Sequence, residues 1–244
     1  MFYIKNCLSF LVLIFVILLS NVQASTIGED LISPVTNKEA QKVLIIGASA
    51  TLITSLFKVT LIRNIQRDVH SKQFLCCNKT APGNTYLQIV PNILYSLLEG
   101  ANYYFNDNED SKRQAIGMAK ATIYSGLVAD IIKPIINEQR PNGGRSSFPS
   151  GHTTTAFAFA SFAASEHPWY VGISAYLLAG YVGYCRMQDN YHYLHDIMAG
   201  ATLGMSYGIA LSMNGKEQKE KQSAFIVTPT DELNGLAFRY SLNF

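Results

Sequence analysis

Six apolar stretches of helical length follow one another between residues 43 and 213 of this 244-residue chain. Apolar runs of this length, rich in Ala, Leu, Ile and Met, indicate helices rather than strands. The sequence therefore predicts an all-α fold, a compact six-helix bundle within one domain. The stretches are Val43–Leu61, Tyr86–Phe105, Ala115–Ile132, Thr153–Ser165, Trp169–Cys185 and Ile197–Met213.

The last of these stretches carries three glycines at four-residue spacing, Gly200, Gly204 and Gly208. Residues four apart lie on the same face of a helix. Small residues on one face let the backbone of a neighbouring helix approach closely. We therefore expect the last helix to pack tightly against another helix along this face.

The composition favours a membrane protein. Charged residues make up 15% of the chain, against about 25% in soluble proteins, and hydrophobic residues make up 48%. The mean hydropathy of +0.12 is nevertheless low for a chain fully embedded in lipid. Polar residues such as Glu99, Lys120 and Asp130 limit the uncharged cores to about 17 residues, the lower limit for crossing a bilayer, so the number of spanning helices stays open. The net charge of +2 gives no electrostatic basis for a nucleic-acid partner.

The two ends of the chain differ in character from the bundle. The N-terminus has a basic start, an apolar run and a small-residue cleavage site, which together indicate a secretory signal peptide. An uncleaved membrane anchor is the alternative. The tail contains two segments, 224–228 and 235–244, with the pattern of a pair of strands. The predicted organisation is a signal peptide at 1–24, a linker at 25–42, a helical domain at 43–213 and a polar tail at 214–244.

Three short blocks between residues 133 and 196 concentrate reactive side chains. The first block holds Lys133 and Arg140, the second is Pro149-Ser150-Gly151-His152, and the third holds Arg186, His192 and Asp196. Fixed cations cluster against their mutual repulsion where an anion lies among them, and phosphate is the natural candidate. A histidine backed by a carboxylate supplies a nucleophile, and a second histidine supplies an acid. The blocks together predict a phosphate-ester hydrolase.

The first two blocks are predicted to meet at helix ends. Pro134 is expected to end the third helix just beyond Lys133. In the second block, Ser150 offers a hydroxyl and an amide, Gly151 allows close backbone approach, and the following helix start attracts an anion. His152 would then lie beside the phosphate and protonate a leaving oxygen. Taken alone, the first block describes a basic loop equally well, and His152 a helix-capping histidine.

In the third block, His192 and Asp196 are four residues apart and would share a helix face if the last helix includes both. The carboxylate would fix the tautomer of the ring and leave the other nitrogen bare for attack on phosphorus. His195 is a rival nucleophile, ranked lower because its side chain would point roughly 100° away on a helix. A zinc site at His192 and His195 lacks a third ligand in the spacing, so no metal or other cofactor is expected.

These blocks resemble the three-part motif of the type 2 phosphatidic acid phosphatase and vanadium haloperoxidase superfamily, over about residues 115 to 213. The resemblance implies an all-α bundle and metal-independent hydrolysis through a phosphohistidine intermediate. By position, it makes His192 the nucleophile, Asp196 its orienting partner and His152 the general acid. The family usually has Ser before the third-block arginine where this chain has Cys185, which removes one possible hydrogen bond to phosphate. The phosphate-binding residues it implies are Lys133, Arg140, Ser150, Gly151 and Arg186.

The favoured hypothesis is a phosphatase of lipid phosphates or diphosphates in the inner membrane or periplasm of a bacterial envelope, with its site facing the periplasm. The motif blocks share one end of the bundle, so six spanning helices after a cleaved signal would place that end in the cytoplasm. A periplasmic site requires one helix not to span, or the whole bundle to lie in or on the periplasmic side. A soluble periplasmic acid phosphatase is the alternative. A haloperoxidase and a non-catalytic binder of phosphate headgroups are more remote.

Overall fold

A computed structural model describes residues 26–57, 62–72, 86–222, 226–229 and 236–239 of the chain. The predicted signal peptide lies outside the described residues. Eight helices and one short antiparallel hairpin occur within them. The helices are α1 (Ile27–Thr36), α2 (Lys38–Leu56), α3 (Arg63–Lys72), α4 (Val90–Asn106), α5 (Glu109–Ile136), α6 (Gly151–Glu166), α7 (Trp169–Gln188) and α8 (Leu194–Gln222), and the strands are β1 (Ile226–Pro229) and β2 (Leu236–Arg239).

The prediction of a helical fold is confirmed, and the described parts of all six apolar stretches lie mainly in helices. The two further helices, α1 and α3, are only ten residues long, so no long apolar run marked them. Residues 25–42, predicted as a linker, contain α1 and the start of α2. A capping box starts α1: the Thr26 hydroxyl accepts from the Glu29 amide (3.3 Å), and the Glu29 carboxylate accepts from the Thr26 amide (3.0 Å).

The central helix of the bundle is α6, which packs against α5, α7 and α8. Its sequence is dominated by Ala, Thr and Ser, so it offers small side chains to every neighbour. One apolar cluster joins α6 to α7, and a second cluster around Phe162 joins it to α5 and α8. The two clusters comprise Ala156, Ala160, Ala163, Ala175, Ala179 and Val182, and Met118, Ala121, Phe162, Tyr207 and Leu211.

The glycine face of α8 lies directly on α6, as the four-residue spacing predicts. A methyl group at Gly200 would come within 2.5 Å of the Ser150 carbonyl oxygen. Methyl groups at Gly204 and Gly208 would overlap the carbonyl oxygens of Thr154 and Ala158. The absence of side chains along this face therefore sets the distance between α6 and α8.

The end of the bundle opposite the motif blocks is fixed by a buried carboxylate. Glu166, at the end of α6, accepts two hydrogen bonds from the Arg113 guanidinium of α5 (2.9 and 2.7 Å) and one from the Ser212 hydroxyl of α8. The Glu166 side chain is 1% exposed. The paired charges satisfy one another where neither is well solvated, and the helices that carry the motifs are thereby held in register.

Among the described residues, only α5 is long and apolar enough to cross a membrane by length and composition. Its most apolar 18-residue window is 44% buried inside the bundle. That helix carries Lys120, whose ammonium pairs with the buried Asp30 carboxylate of α1 at 2.8 Å. The ion pair lets an apolar helix carry a charged side chain in its interior and ties α1 to the bundle.

Candidate active site

The three motif blocks meet at one end of the bundle. Lys133 lies in the last turn of α5, His152 in the first turn of α6, Arg186 in the last turn of α7 and Asp196 in the first turn of α8. Two helix C-termini and two helix N-termini thus surround one space. The sequence prediction that the blocks share one face of the bundle agrees with this arrangement.

Lys133 reaches across to the start of α6. A methyl group built on Gly151 would lie 2.9 Å from the Lys133 ammonium nitrogen, so the ammonium occupies the space that a side chain at 151 would take. Lys133 also pairs with Asp130 at 2.6 Å. Pro134 does not end α5 directly after Lys133: the helix continues to Ile136 and is closed by Asn137, which has a φ of 44°. A proline in the last turn removes one helical hydrogen bond at most, so the helix tolerates it there.

Ser150 joins the second block to the third through the main chain. Its amide donates to the Asp196 carbonyl oxygen at 3.1 Å, and its buried hydroxyl accepts from the Thr153 hydroxyl at 3.0 Å. The amide that the sequence assigned to phosphate is therefore engaged within the protein. The first helical bond of α6 runs from the Thr154 amide to the Ser150 carbonyl, so the amides of Gly151 and His152 form the anion-attracting helix start.

Arg140 and Arg186 share an aromatic partner, Tyr191. The Arg186 guanidinium lies 4.2 Å from the centre of the Tyr191 ring, and that of Arg140 lies 5.7 Å from it. The two cations thus converge although they are far apart in sequence. The Arg140 Nε atom is buried without a hydrogen-bond partner among the described residues. An anion bound between the arginines would satisfy such a donor.

The segment between Arg186 and His192 is held by α3. The Gln66 side-chain amide donates to the Met187 carbonyl (2.7 Å) and the Asn190 side chain (3.1 Å). A His70 ring nitrogen lies 2.7 Å from the Gln188 carbonyl. These contacts satisfy carbonyls that the end of α7 leaves without helical partners. The polar helix α3 therefore supports the turn that carries His192.

His192 lies in the turn before α8 and not on that helix, because α8 begins at Leu194. Its amide donates to the Arg186 carbonyl at 3.3 Å. The ring is 2% exposed, and its Nδ1 lies 3.7 Å from Asp196 Oδ2, just beyond hydrogen-bonding distance. The predicted pair thus comes together through a turn, although the two residues do not share a helix face.

The protonation states of this pair suit nucleophilic chemistry. Burial lowers the pKa of His192 below its ordinary value of 6.5, and the charges of Arg186 and Arg140 lower it further, against the opposing effect of Asp196. Burial would raise the pKa of Asp196, but the neighbouring His192 ring, the charge of His195 and the Ser147 hydroxyl outweigh it and hold that pKa below 3.8. At neutral pH a neutral imidazole therefore faces an ionised carboxylate.

The Asp196 carboxylate is held by groups that the sequence motif does not reveal. Its Oδ2 accepts from the Ser147 hydroxyl at 2.5 Å and from the Tyr193 amide at 2.8 Å. Its Oδ1 lies 3.2 Å from Nε2 of His195, which in turn contacts Glu138. Ser147 and Glu138 lie in the loop after α5, whose conformation carries no periodic signal, so sequence reasoning missed them. Tyr191 was missed because a tyrosine in a turn gives no chemical pattern.

His152 and Cys185 complete the set of predicted residues. His152 is the second residue of α6 and is partly exposed. Cys185 is fully buried in the last turn of α7 and is disulfide-bonded. Its sulfur therefore has no S–H to offer to phosphate in place of the serine hydroxyl of the family motif.

Comparison with known proteins identifies relatives of the motif-bearing region. Residues 114–219 match the PAP2 superfamily. A lipid A 1-phosphatase of Porphyromonas gingivalis is 33% identical over 129 residues, which cover 50% of this chain and 28% of that protein. A lipid A 1-phosphatase of Rhizobium johnstonii is 28% identical over 53% of this chain and 62% of that protein. Lipid phosphate phosphatase 2 of Arabidopsis thaliana is 25% identical over 43% of this chain and 52% of that protein. The chain thus spans less than two thirds of each of these relatives.

Proposed function

We propose, from the match of residues 114–219 to the PAP2 superfamily, that the chain is a metal-independent phosphatase of lipid phosphates or diphosphates. The observation that carries the proposal is the setting of His192. A buried, neutral imidazole faces an ionised carboxylate, and two arginines gathered on one tyrosine ring lie beside it. This combination of a nucleophile and an anion site fits phosphoryl transfer.

In the proposed mechanism, Nε2 of His192 attacks phosphorus, because Nδ1 is turned towards Asp196. A nitrogen–phosphorus bond forms as the bond to the leaving oxygen breaks, and His152 gives its proton to that oxygen. Water then attacks phosphorus and gives a proton to His152, and the phosphohistidine is cleaved to inorganic phosphate. Lys133, Arg140, Arg186 and the amides of Gly151 and His152 stabilise the negative charge of the transferred group. Ser150 contributes by joining the two helices.

A lipid substrate is proposed from the surface that surrounds the bundle. Most of the helices expose large apolar side chains, an amount unusual for a surface that faces only water. Such side chains would lie among acyl chains while the cations at the bundle end take the headgroup. The named lipid phosphatases among the relatives support this assignment. The exposed side chains include Ile45, Ile46, Leu52 and Ile53 of α2, Leu94 and Leu98 of α4, Ile123, Leu127 and Ile131 of α5, and Ile173 and Leu177 of α7.

The proposed location is a bacterial envelope, with the site facing the periplasm. It rests on the predicted N-terminal signal and on the exposed apolar side chains. In spheroplasts that have not been lysed, we expect an added protease to cleave the loop at residues 140–147. Protection of that loop until the cells are lysed would place the site in the cytoplasm.

The function is tested by phosphate release from the purified protein in detergent and in the presence of a chelator. Three substrates are compared: a long-chain lipid phosphate, a prenyl diphosphate and a water-soluble aryl phosphate. Faster turnover of the lipids, indifferent to the chelator, is expected. Hydrolysis of the soluble ester alone would favour the soluble acid phosphatase, and inhibition by the chelator would contradict the metal-independent mechanism. Binding without release would leave a non-catalytic headgroup binder.

Replacement of Gly151 by alanine is expected to lower kcat/KM without loosening the fold. The added methyl would lie 2.9 Å from the Lys133 ammonium, the mobile end of a long side chain, and would push that charge away from the phosphate site. Loss of one charge-assisted hydrogen bond costs about 1.5–3 kcal/mol, or roughly 10- to 150-fold in kcat/KM. Enzyme assays and thermal unfolding check the two halves of the prediction. A matched control is Gly180→Ala, because Gly180 has open space around it. Full activity of Gly151→Ala would show that Lys133 does not bind the phosphate.

The pH dependence should follow from the lowered pKa of His192. Attack requires the neutral ring, so kcat/KM falls as the pH drops through the pKa of folded His192. Because burial and the two arginines lower that pKa, half-maximal kcat/KM on the acid side is expected below pH 6.5, measured with the aryl phosphate at constant ionic strength. Arg140→Gln removes one of the two positive charges that lower the pKa of His192. The acid limb of the profile, where kcat/KM falls as the pH drops, should therefore move to higher pH. A wild-type acid limb with its midpoint at or above pH 6.5 would contradict the assignment of this limb to His192.

A further inference from the structure

A second histidine contacts the carboxylate that faces the nucleophile. Nε2 of His195 lies 3.2 Å from Asp196 Oδ1 and 3.0 and 3.1 Å from the two carboxylate oxygens of Glu138. The His195 side chain is 3% exposed and that of Glu138 is 17% exposed. The three groups lie within 4.8 Å of one another. Two acidic groups and one imidazole thus form a compact cluster, here called the Glu138–His195–Asp196 cluster.

The His195 ring is fixed in place by its neighbours. It stacks on the ring of Tyr193 (centroids 5.6 Å apart, 12° between planes) and on the ring of Phe148 (6.2 Å, 23°). Glu138 is fixed as well, since its carbonyl accepts from the Ser147 amide at 2.9 Å. The cluster therefore links the loop that carries Ser147 to the first turn of α8.

Two carboxylates this close in a buried site repel unless positive charge lies between them. A ring nitrogen that faces three carboxylate oxygens must carry its hydrogen, because a lone pair there would be repelled. The contacts with Glu138 have hydrogen-bond geometry, whereas Asp196 Oδ1 is at ion-pair distance and accepts no hydrogen bond from the described residues. A neutral ring supplies this one hydrogen, but only a ring that is protonated at Nδ1 as well supplies the positive charge that both acids need.

We propose that His195, held by Glu138, is a positioning residue whose positive charge keeps Asp196 ionised and leaves its Oδ2 directed at His192. His195 acts through Asp196 and does not touch the substrate. This assignment gives a role to a histidine that the sequence offers only as a lower-ranked rival nucleophile. The expected effect on catalysis rests on the proposed function. The expected effect on stability rests on the Glu138–His195–Asp196 cluster alone.

The titratable groups in and around this cluster come from three parts of the chain. Glu138 follows α5, Asp196 belongs to α8, and the phenol of Tyr193 belongs to the turn between α7 and α8. Arg140 and Arg186 act on the adjacent His192. Removing His195 leaves Glu138 and Asp196 facing each other, so the first proton is taken up at a higher pH than in the wild type.

The test compares the wild type with His195→Gln, Glu138→Gln and the double variant, all as full-length protein in detergent. The two Gln side chains of the double variant can hydrogen-bond without charge. At pH 7 to 8, His195→Gln should have the lowest unfolding temperature, and Glu138→Gln in the same background should raise it. Near pH 4.5 this difference should shrink, because one carboxylate then carries a proton. A double variant that is less stable than His195→Gln at pH 7 to 8 would overturn the proposal.

The kinetic arm uses the same four proteins. His195→Gln should lower kcat about tenfold at pH 6, equivalent to a shift of one pKa unit, move the acid limb to higher pH and leave KM nearly unchanged. The added Glu138→Gln should move the limb back. An unshifted limb in a folded His195→Gln variant would assign His195 to packing alone and overturn the proposal. The unfolding comparison does not need turnover, so an inactive wild type would reject the phosphatase proposal and still leave the cluster tested.

Discussion

His192→Ala is expected to release phosphate at least about a thousandfold more slowly than the wild type, on every ester that the wild type hydrolyses. The variant has no nitrogen to form the bond to phosphorus, and water in the space left by the ring would not be held in line by the turn. The ring contributes little to the connections between helices, because the contacts that hold this turn come from the His192 amide and from Asp196. The variant should therefore fold.

Turnover of a phosphorus-labelled substrate, quenched with an alkaline denaturant, provides the second measurement for His192→Ala. Wild-type protein should carry acid-labile label, and the variant should carry none. His167→Ala is the matched control: His167 ends α6 at the opposite end of the bundle and lies 2.7 Å from the Tyr95 hydroxyl. That variant should keep both activity and label. Undiminished turnover by His192→Ala would exclude His192 as the nucleophile and turn attention to His195.

Gly204→Leu is expected to prevent stable folding, with a loss of about 3 kcal/mol or more in the free energy of unfolding. Even a methyl group at this position would overlap the carbonyl oxygen of Thr154, which is part of the α6 backbone and cannot rotate away. The helices α6 and α8 would have to separate, and His152 and Asp196 would separate with them. Low yield, early thermal unfolding and lost activity should therefore appear together.

Gly180→Leu controls for the size and helix propensity of the new side chain. Gly180 also lies within a helix, α7, and has open space around it. This variant should unfold close to the wild-type temperature, as measured by circular dichroism in the same detergent. A Gly204→Leu protein as stable as Gly180→Leu would show that α6 and α8 do not pack as closely as described.

The helical fold could be predicted because apolar content and length together mark long helices. The same reasoning could not find α1 and α3. Asp30 of α1 is buried against Lys120, and Gln66 of α3 is buried against the α7 terminus. A polar side chain that a specific partner buries is predicted from sequence alone to be exposed. Two helices held by such pairs therefore look like linker and loop.

The site could be predicted as far as its residues lie at helix ends with fixed spacing. Lys133, His152 and Asp196 follow from that logic, because helix geometry places them before any contact is known. Ser147 and Tyr191 do not, since each is placed by loop structure. Ser150 shows a further limit: the sequence identified the residue, but the partner of its amide depends on a helix that begins more than forty residues later.

The main-chain hydrogen bond from the Ser150 amide to the Asp196 carbonyl fixes the distance between the segment that carries His152 and the segment that carries His192. The bond uses no side-chain atom, and the glycine contacts continue the close approach along both helices. The amide hydrogen of Ser150 should then exchange with solvent only when the whole molecule unfolds. A site held together by such main-chain contacts is organised before its ligand arrives, so little binding energy is needed to order it.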